Sequence, residues 1–149
     1  VSNLNLSSKE SHMAEQQTPG TFIWNEFTTR DAEAAKQFYG RLFGWKFQPA
    51  PGQEATGPVY DIILANDKPI GGVMKMGLEH PKDAPPHWRP YVAVENVDKT
   101  CAQAEENGGK ICVPPTDIPG TGRFAVISDP TGGVFSILGP SPGKAEPGQ

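Results

Sequence analysis

The stretch Thr21–Thr28 is dense in β-branched and aromatic residues, the composition of a strand. Asp31 follows as a helix N-cap, with Glu33 in the first turn near the positive end of the helix dipole. Ala35, Phe38, Tyr39, Leu42 and Phe43 then recur at three- and four-residue spacing and predict one apolar helix face directed at a core. Gly44 stops that helix. Trp45–Phe47, Val59–Ala65 and Ile70–Met76 read as strands, separated by a loop at Pro49–Gly57 and a turn at Asn66–Pro69.

The second half follows the same plan. Trp88–Glu95 is a strand, and Asn96 caps a helix whose Val97, Cys101 and Ala104 share a face. Gly108-Gly109 ends it, and Lys110–Val113, Phe124–Ser128 and Val134–Leu138 are the remaining strands. Pro114–Gly122 reads as a loop. Gly71-Gly72-Val73 answers Gly132-Gly133-Val134, each triplet expected to open the last strand of its half. Neither half can build a good core alone. The expected class is α+β: two tandem βαβββ modules forming one cupped mixed sheet, one helix backing each module. Module one is 21–77, the linker 78–87 and module two 88–139. Residues 13–20 are a flexible start and 140–149 a flexible tail. Ser11-His12-Met13 reads as a cloning scar, making 1–12 a leader outside the fold.

Length and composition narrow the function classes. A chain of 149 residues suits one such domain, and 17 glycines with 16 prolines favour short elements over a helical bundle. The net charge of -4 comes with no basic stripe, which argues against nucleic acid. No apolar run has the length of a membrane helix, so no membrane partner is expected. Two cysteines, Cys101 and Cys112, do not make a disulfide framework, and a reduced cytoplasmic setting is expected. Neither has a histidine at catalytic spacing.

Asp31 through Phe38-Tyr39 to Leu42-Phe43-Gly44-Trp45, then Asn107-Gly108-Gly109, then Asp129-Pro130-Thr131-Gly132-Gly133-Val134-Phe135, fall in a specific order. That order resembles the vicinal oxygen chelate superfamily of glyoxalases, bleomycin-resistance proteins and extradiol dioxygenases. The resemblance spans about Thr21 to Leu138, and Trp24-Asn25-Glu26 with Trp88-Arg89-Pro90-Tyr91 is similar to a glyoxalase-like subgroup without an assigned reaction. It implies a homodimer and a cup in which four positions can hold a divalent metal. Those positions correspond to Trp24, Lys75, Arg89 and Ser136. A slip of one residue on the last strands would offer Met74 and Phe135, or Met76 and Ile137. None is a usual ligand, so no metal and no other cofactor is expected. His80 and His87 flank prolines and read as loop histidines; Glu26 with His87 would make at most half of an unusual site.

Alternation along the strands places Trp24, Glu26 and Thr28 toward the cup, with Arg89, Tyr91 and Ala93 from the fifth strand. Val73, Lys75, Val134 and Ser136 are expected to complete its walls. The candidate ligand-binding set is therefore Trp24, Thr28, Lys75, Arg89, Tyr91 and Ser136, with Glu26 as candidate catalytic base. This set suits a small acidic or carbonyl-bearing organic molecule, Arg89 gripping an acid group. Three functions compete: metal-free binding, a glyoxalase-like lyase or isomerase using Glu26, and an interaction domain with a filled cup. Glu26 and Arg89 can alternatively pair with each other and serve the fold alone.

Overall fold

A computed structural model describes residues 17–50, 60–78 and 80–142. The expected leader, most of the Pro49–Gly57 loop and most of the tail lie outside the described residues. The elements run β1 (Phe22–Thr29), α1 (Ala32–Phe43), β2 (Lys46–Pro49), β3 (Tyr60–Ala65), β4 (Lys68–Lys75), β5 (His87–Ala93), α2 (Val97–Glu106), β6 (Lys110–Ile118), β7 (Gly122–Ser128) and β8 (Val134–Gly139). Among the described residues, two helices and eight strands in mixed pairing make an α+β protein of two βαβββ modules. No helix among the described residues is long and apolar enough to cross a membrane. Two compact units divide the chain: one runs from Trp24 to Arg89, the other from Pro90 onward together with the segment ending at Ile23.

In the first unit the strand order is β2-β3-β4-β1, with β1 parallel to β4 and the other pairs antiparallel. Asp31 Oδ1 accepts from the Ala34 N–H at 3.0 Å, and Thr29 Oγ1 accepts from the Asp31 N–H at 3.3 Å, so α1 begins where its cap dictates. It ends at Gly44, whose φ of 74° lies in the left-handed region. A two-residue turn, Asn66 and Asp67 at φ 51° and 65°, joins β3 to β4 and is tighter than the four-residue turn expected. Lys36 Nζ reaches the buried Asp61 of β3 at 2.8 Å and ties the helix to the sheet. The core is Phe27, Ala32, Ile63 and Val73, with Ala35, Tyr39, Trp45 and Phe47 packed against it.

The apolar helix face expected from spacing divides in two. Ala35 and Tyr39 turn toward the core, but Phe38, Leu42 and Phe43 stay exposed. A helix lying on a sheet covers only one stripe of itself, and this apolar belt is wider than that stripe.

In the second unit the order is β5-β8-β7-β6, with β5 parallel to β8. Asn96 Oδ1 caps α2 by accepting from the Lys99 N–H at 2.9 Å. Val97, Cys101, Ala125, Ile127 and Ile137 form the core, with Val92 and Val94 against it. Burial pushes the Cys101 thiol up, so it is a poor nucleophile. Pro114–Gly122 is not a loop throughout: β6 continues through both prolines to Ile118. It lies at the end of the strand order, and its pairing with β7 shifts register between Val113 and Thr116. An edge position and a bulge are where a strand tolerates proline's missing N–H.

The turn before β8 is organised by Asp129. Its Oδ1 accepts from the Thr131 N–H at 2.7 Å, the Thr131 hydroxyl at 2.8 Å and the Gly133 N–H at 3.0 Å. The Thr131 hydroxyl, then the Gly133 and Thr131 amides, hold its carboxyl below the usual carboxylate range. A group so lowered stabilises the fold above its unfolded pKa and loses that contribution as pH falls through the folded value. We expect Asp129→Ala to lower stability at neutral pH and to flatten the loss of stability below about pH 4. Urea unfolding of both proteins across the acid range checks this; parallel pH curves would refute it.

Candidate functional site

Strand β1 carries the site. Phe27 faces α1, so Trp24, Glu26 and Thr28 share the opposite face, and all three are buried. The Glu26 carboxylate has two named donors. Arg89 Nη2 donates to Oε2 at 3.0 Å and the Tyr60 hydroxyl donates to Oε1 at 3.1 Å. Trp24 Nε1 donates to the same Tyr60 oxygen at 3.1 Å. Because an indole only donates, Tyr60 accepts from Trp24 and donates its own proton to Glu26. The chain Trp24 to Tyr60 to Glu26 therefore has one direction, and Arg89 balances the charge at its end. Glu26 and Arg89 side chains are 4% and 14% exposed, so this pair is held away from water.

Tyr60 is the member that the sequence reading missed. Its ring crosses β4 at Gly72: a Cβ there would sit 2.2 Å from the Tyr60 oxygen. Gly71 is closed in the same way, by the Asn25 carbonyl at 2.2 Å. The two glycines lie within β4, not at its opening as the comparison with Gly132-Gly133 suggested. A glycine inside a strand marks a close approach of a neighbouring group, and that is the signal in the sequence that could have drawn attention to β4.

The register also revises the walls. Thr28 pairs with Met74, and Phe27 with Val73. Met74 therefore lies on the face of Thr28, whereas Val73 packs under α1 and exposed Lys75 follows it on that side. The one-residue difference arises because the Gly-Gly pairs of the two modules sit at different places in their strands. In the second unit Tyr91 pairs with Ser136, both buried, on the face opposite Ile137 and α2. Thr28 is itself distinctive: its Oγ1 is buried and has no hydrogen-bond partner among the described residues.

In the first unit Trp24, Met74 and Arg89 carry an indole, a thioether and a guanidinium, and in the second unit Ser136 carries a hydroxyl. Among the described residues no three His, Cys, Asp or Glu side chains come together. Glu26 engages Arg89 and Tyr60, while the His87 ring donates to the Pro85 carbonyl at 2.9 Å and His80 Nδ1 accepts from the Gly77 N–H at 3.1 Å. This donor set does not fit a divalent ion.

Residues 21–137 match the model of the Glyoxalase/Bleomycin resistance protein/Dioxygenase superfamily. The chain belongs to this superfamily. It is 40% identical over 123 residues to CFP32 of Mycobacterium tuberculosis, a protein provisionally named a glyoxylase, covering 83% of this chain and 45% of that one. It is 28% identical over 130 residues to the anthracycline biosynthesis protein DnrV of Streptomyces peucetius, covering 80% and 46%. The superfamily domain thus spans about half the length of these curated relatives. Methylmalonyl-CoA epimerase from Mycobacterium tuberculosis superposes with a TM-score of 0.58 at 14% identity, covering 91% of this chain and 97% of that one. That likeness concerns the fold.

The buried pair and the glycine cradle generate one prediction each. Arg89→Ala removes an ion-pair partner of the buried Glu26 carboxylate and is expected to cost about 3–5 kcal/mol of unfolding free energy. Adding Glu26→Gln to it should recover part of that loss, a coupling that urea denaturation of the two single variants and the double variant measures. Additive losses would show that the pair is not coupled. Gly72→Ala is expected to displace the Tyr60 ring and destabilise the protein by roughly 1–3 kcal/mol, with Tyr60→Phe leaving Gly72→Ala just as harmful. A neutral Gly72→Ala in the same unfolding assay would contradict the close approach.

Proposed function

We propose that this chain binds a small carbonyl-bearing organic molecule, without a divalent metal, on the face of β1 that carries Trp24, Glu26 and Thr28. The observation that carries the reading is the Thr28 hydroxyl. A buried hydroxyl without a partner costs about 1–3 kcal/mol, and native proteins keep few of them. A ligand oxygen would complete it. Trp24 supplies aromatic surface beside it, and the Glu26–Arg89–Tyr60 arrangement keeps a charged group at a defined place. Arg89 is engaged with Glu26, so a carbonyl is favoured over the acid group expected from the sequence. The part that DnrV is named for, anthracycline biosynthesis, is in keeping with a carbonyl-bearing aromatic ligand.

A second reading is proton transfer. Glu26 lies two residues from Thr28 on the same strand face. With the ligand carbonyl held by Thr28, its carboxylate would take a proton from the adjacent carbon, and Thr28 would stabilise the developing enolate oxygen. Tyr60 and Arg89 would orient the base. Lyase or isomerase chemistry of the superfamily would begin with such a step.

The test uses a panel of aromatic ketones and α-hydroxy ketones, read by thermal shift and then by calorimetry on the strongest binder. Thr28→Val, which keeps the shape and removes the hydroxyl, is expected to match or exceed the wild type in stability. It should weaken binding by about tenfold, the worth of one buried hydrogen bond. Equal binding by wild type and Thr28→Val would refute the assignment. Deuterium uptake at the carbon beside the carbonyl, lost in Glu26→Gln, would establish proton transfer; binding without uptake would leave binding as the function. Stoichiometric divalent metal in protein purified without a histidine tag would overturn the metal-free part.

A further inference from the structure

We propose that Met74 is a site of reversible oxidation by peroxide, and that its sulfoxide oxygen takes the Thr28 hydroxyl and so closes the ligand site. Thr28 of β1 pairs with Met74 of the parallel β4, and Met74 in turn pairs with Tyr60 of β3. Adjacent strands lie about 4.8 Å apart, so paired side chains on one face are neighbours. Thr28 is 1% exposed, and its Oγ1 has no hydrogen-bond partner among the described residues. The Met74 sulfur leaves that hydroxyl unpaired because a thioether is a weak acceptor.

Oxidation supplies the missing acceptor. The Met74 sulfur lone pair attacks one oxygen of hydrogen peroxide, the O–O bond breaks, and that oxygen stays on sulfur. The other oxygen leaves as water. Sulfur is oxidised, the peroxide is reduced, and no proton is gained or lost overall. The new oxygen sits one bond beyond the sulfur, on an unbranched side chain with three rotatable bonds. It accepts from the Thr28 hydroxyl, whose partner then comes from the protein. A ligand carbonyl that needs the same proton is turned away. This loss of binding follows only if Thr28 holds the ligand, as proposed above. Sulfoxide reductases return the sulfur to a thioether, so the site can reopen.

Placement selects Met74 among the sulfur atoms. Met74 is half-buried, whereas Met76, two residues along, is 5% exposed. Met13 lies outside the described residues. Cys101 is buried, and Cys112 is exposed and competes for peroxide.

The experiment uses the full chain carrying Cys112→Ser, with and without hydrogen peroxide. Lys75 separates the two methionines, so trypsin places them in different peptides for mass spectrometry. The added oxygen is expected at Met74 several-fold faster than at Met76. Oxidation should lower the urea midpoint less in this protein than in the same protein carrying Thr28→Val, which has no hydroxyl to pair. Met74→Gln, with a carboxamide oxygen and no sulfur, should reproduce that difference without peroxide. Affinity for 2-hydroxyacetophenone should fall by about tenfold on oxidation, the worth of the hydrogen bond withdrawn. Sulfoxide reductase should restore it, and the affinity of Met74→Leu should be the same before and after peroxide. Oxygen reaching Met76 as fast as Met74 would overturn the proposal. So would equal midpoint changes with and without the Thr28 hydroxyl, or binding indifferent to complete oxidation. A probe that binds neither form would refute the binding reading, while the peptide map and the unfolding comparison would still decide the oxidation site.

Discussion

A carboxylate buried in the first strand constrains much of the first unit. Glu26 is nearly inaccessible, and an ion withdrawn from water must find charge and hydrogen bonds within the protein. Arg89, sixty-three positions later, brings the charge; Tyr60 brings a hydrogen bond. To accept Arg89, the chain must return from β4 to the neighbourhood of β1. To accept Tyr60, β4 must be bare where the ring crosses it, which is the role of Gly72. Trp24 closes the arrangement by donating its indole N–H to the Tyr60 hydroxyl. A single acidic residue thus links four elements of this unit.

The same residues bear on function and on stability, and the two roles are compatible. A base or a ligand contact is useful only if its position is fixed, and position is fixed by partners whose loss also weakens the fold. Arg89 illustrates this: it neutralises Glu26 and orients it. Thr28 differs. It is buried on the same face, yet its hydroxyl makes no hydrogen bond among the described residues. That is why the proposed binding rests on Thr28 and not on the better-connected side chains around it.

Superfamily membership limits these inferences without making them. The superfamily houses lyases, dioxygenases and binding proteins on one architecture, so the site must be argued from its own donors. Here the donors are an indole, a phenol, a guanidinium, a hydroxyl and one paired carboxylate. They suit organic functional groups and not a metal shell. The exposed aromatic row of α1 lies outside that set, on the surface of the helix turned away from its sheet.

Local signals in the sequence determined the elements. Asp31, Gly44 and Asn96 cap or end their helices as their chemistry requires, because capping depends on residues three or four apart. Alternation placed Trp24, Glu26 and Thr28 on one face because side chains in a strand alternate regardless of what surrounds them. The family was legible because its motifs are local turns and caps in a fixed order. Tertiary structure alone decided the rest. That Glu26 and Arg89 meet each other was one of two open readings, since sequence gives no distance between residues on separate strands. Met74 in place of Lys75 depended on parallel register, which no local pattern encodes. Pro114 and Pro115 remained in a strand because β6 lies at an edge, a property of the sheet and not of the segment. The division of α1 into a buried and an exposed apolar stripe depended on how much of a helix one sheet can cover. Periodicity shows which residues share a helix face; only packing shows what that face meets.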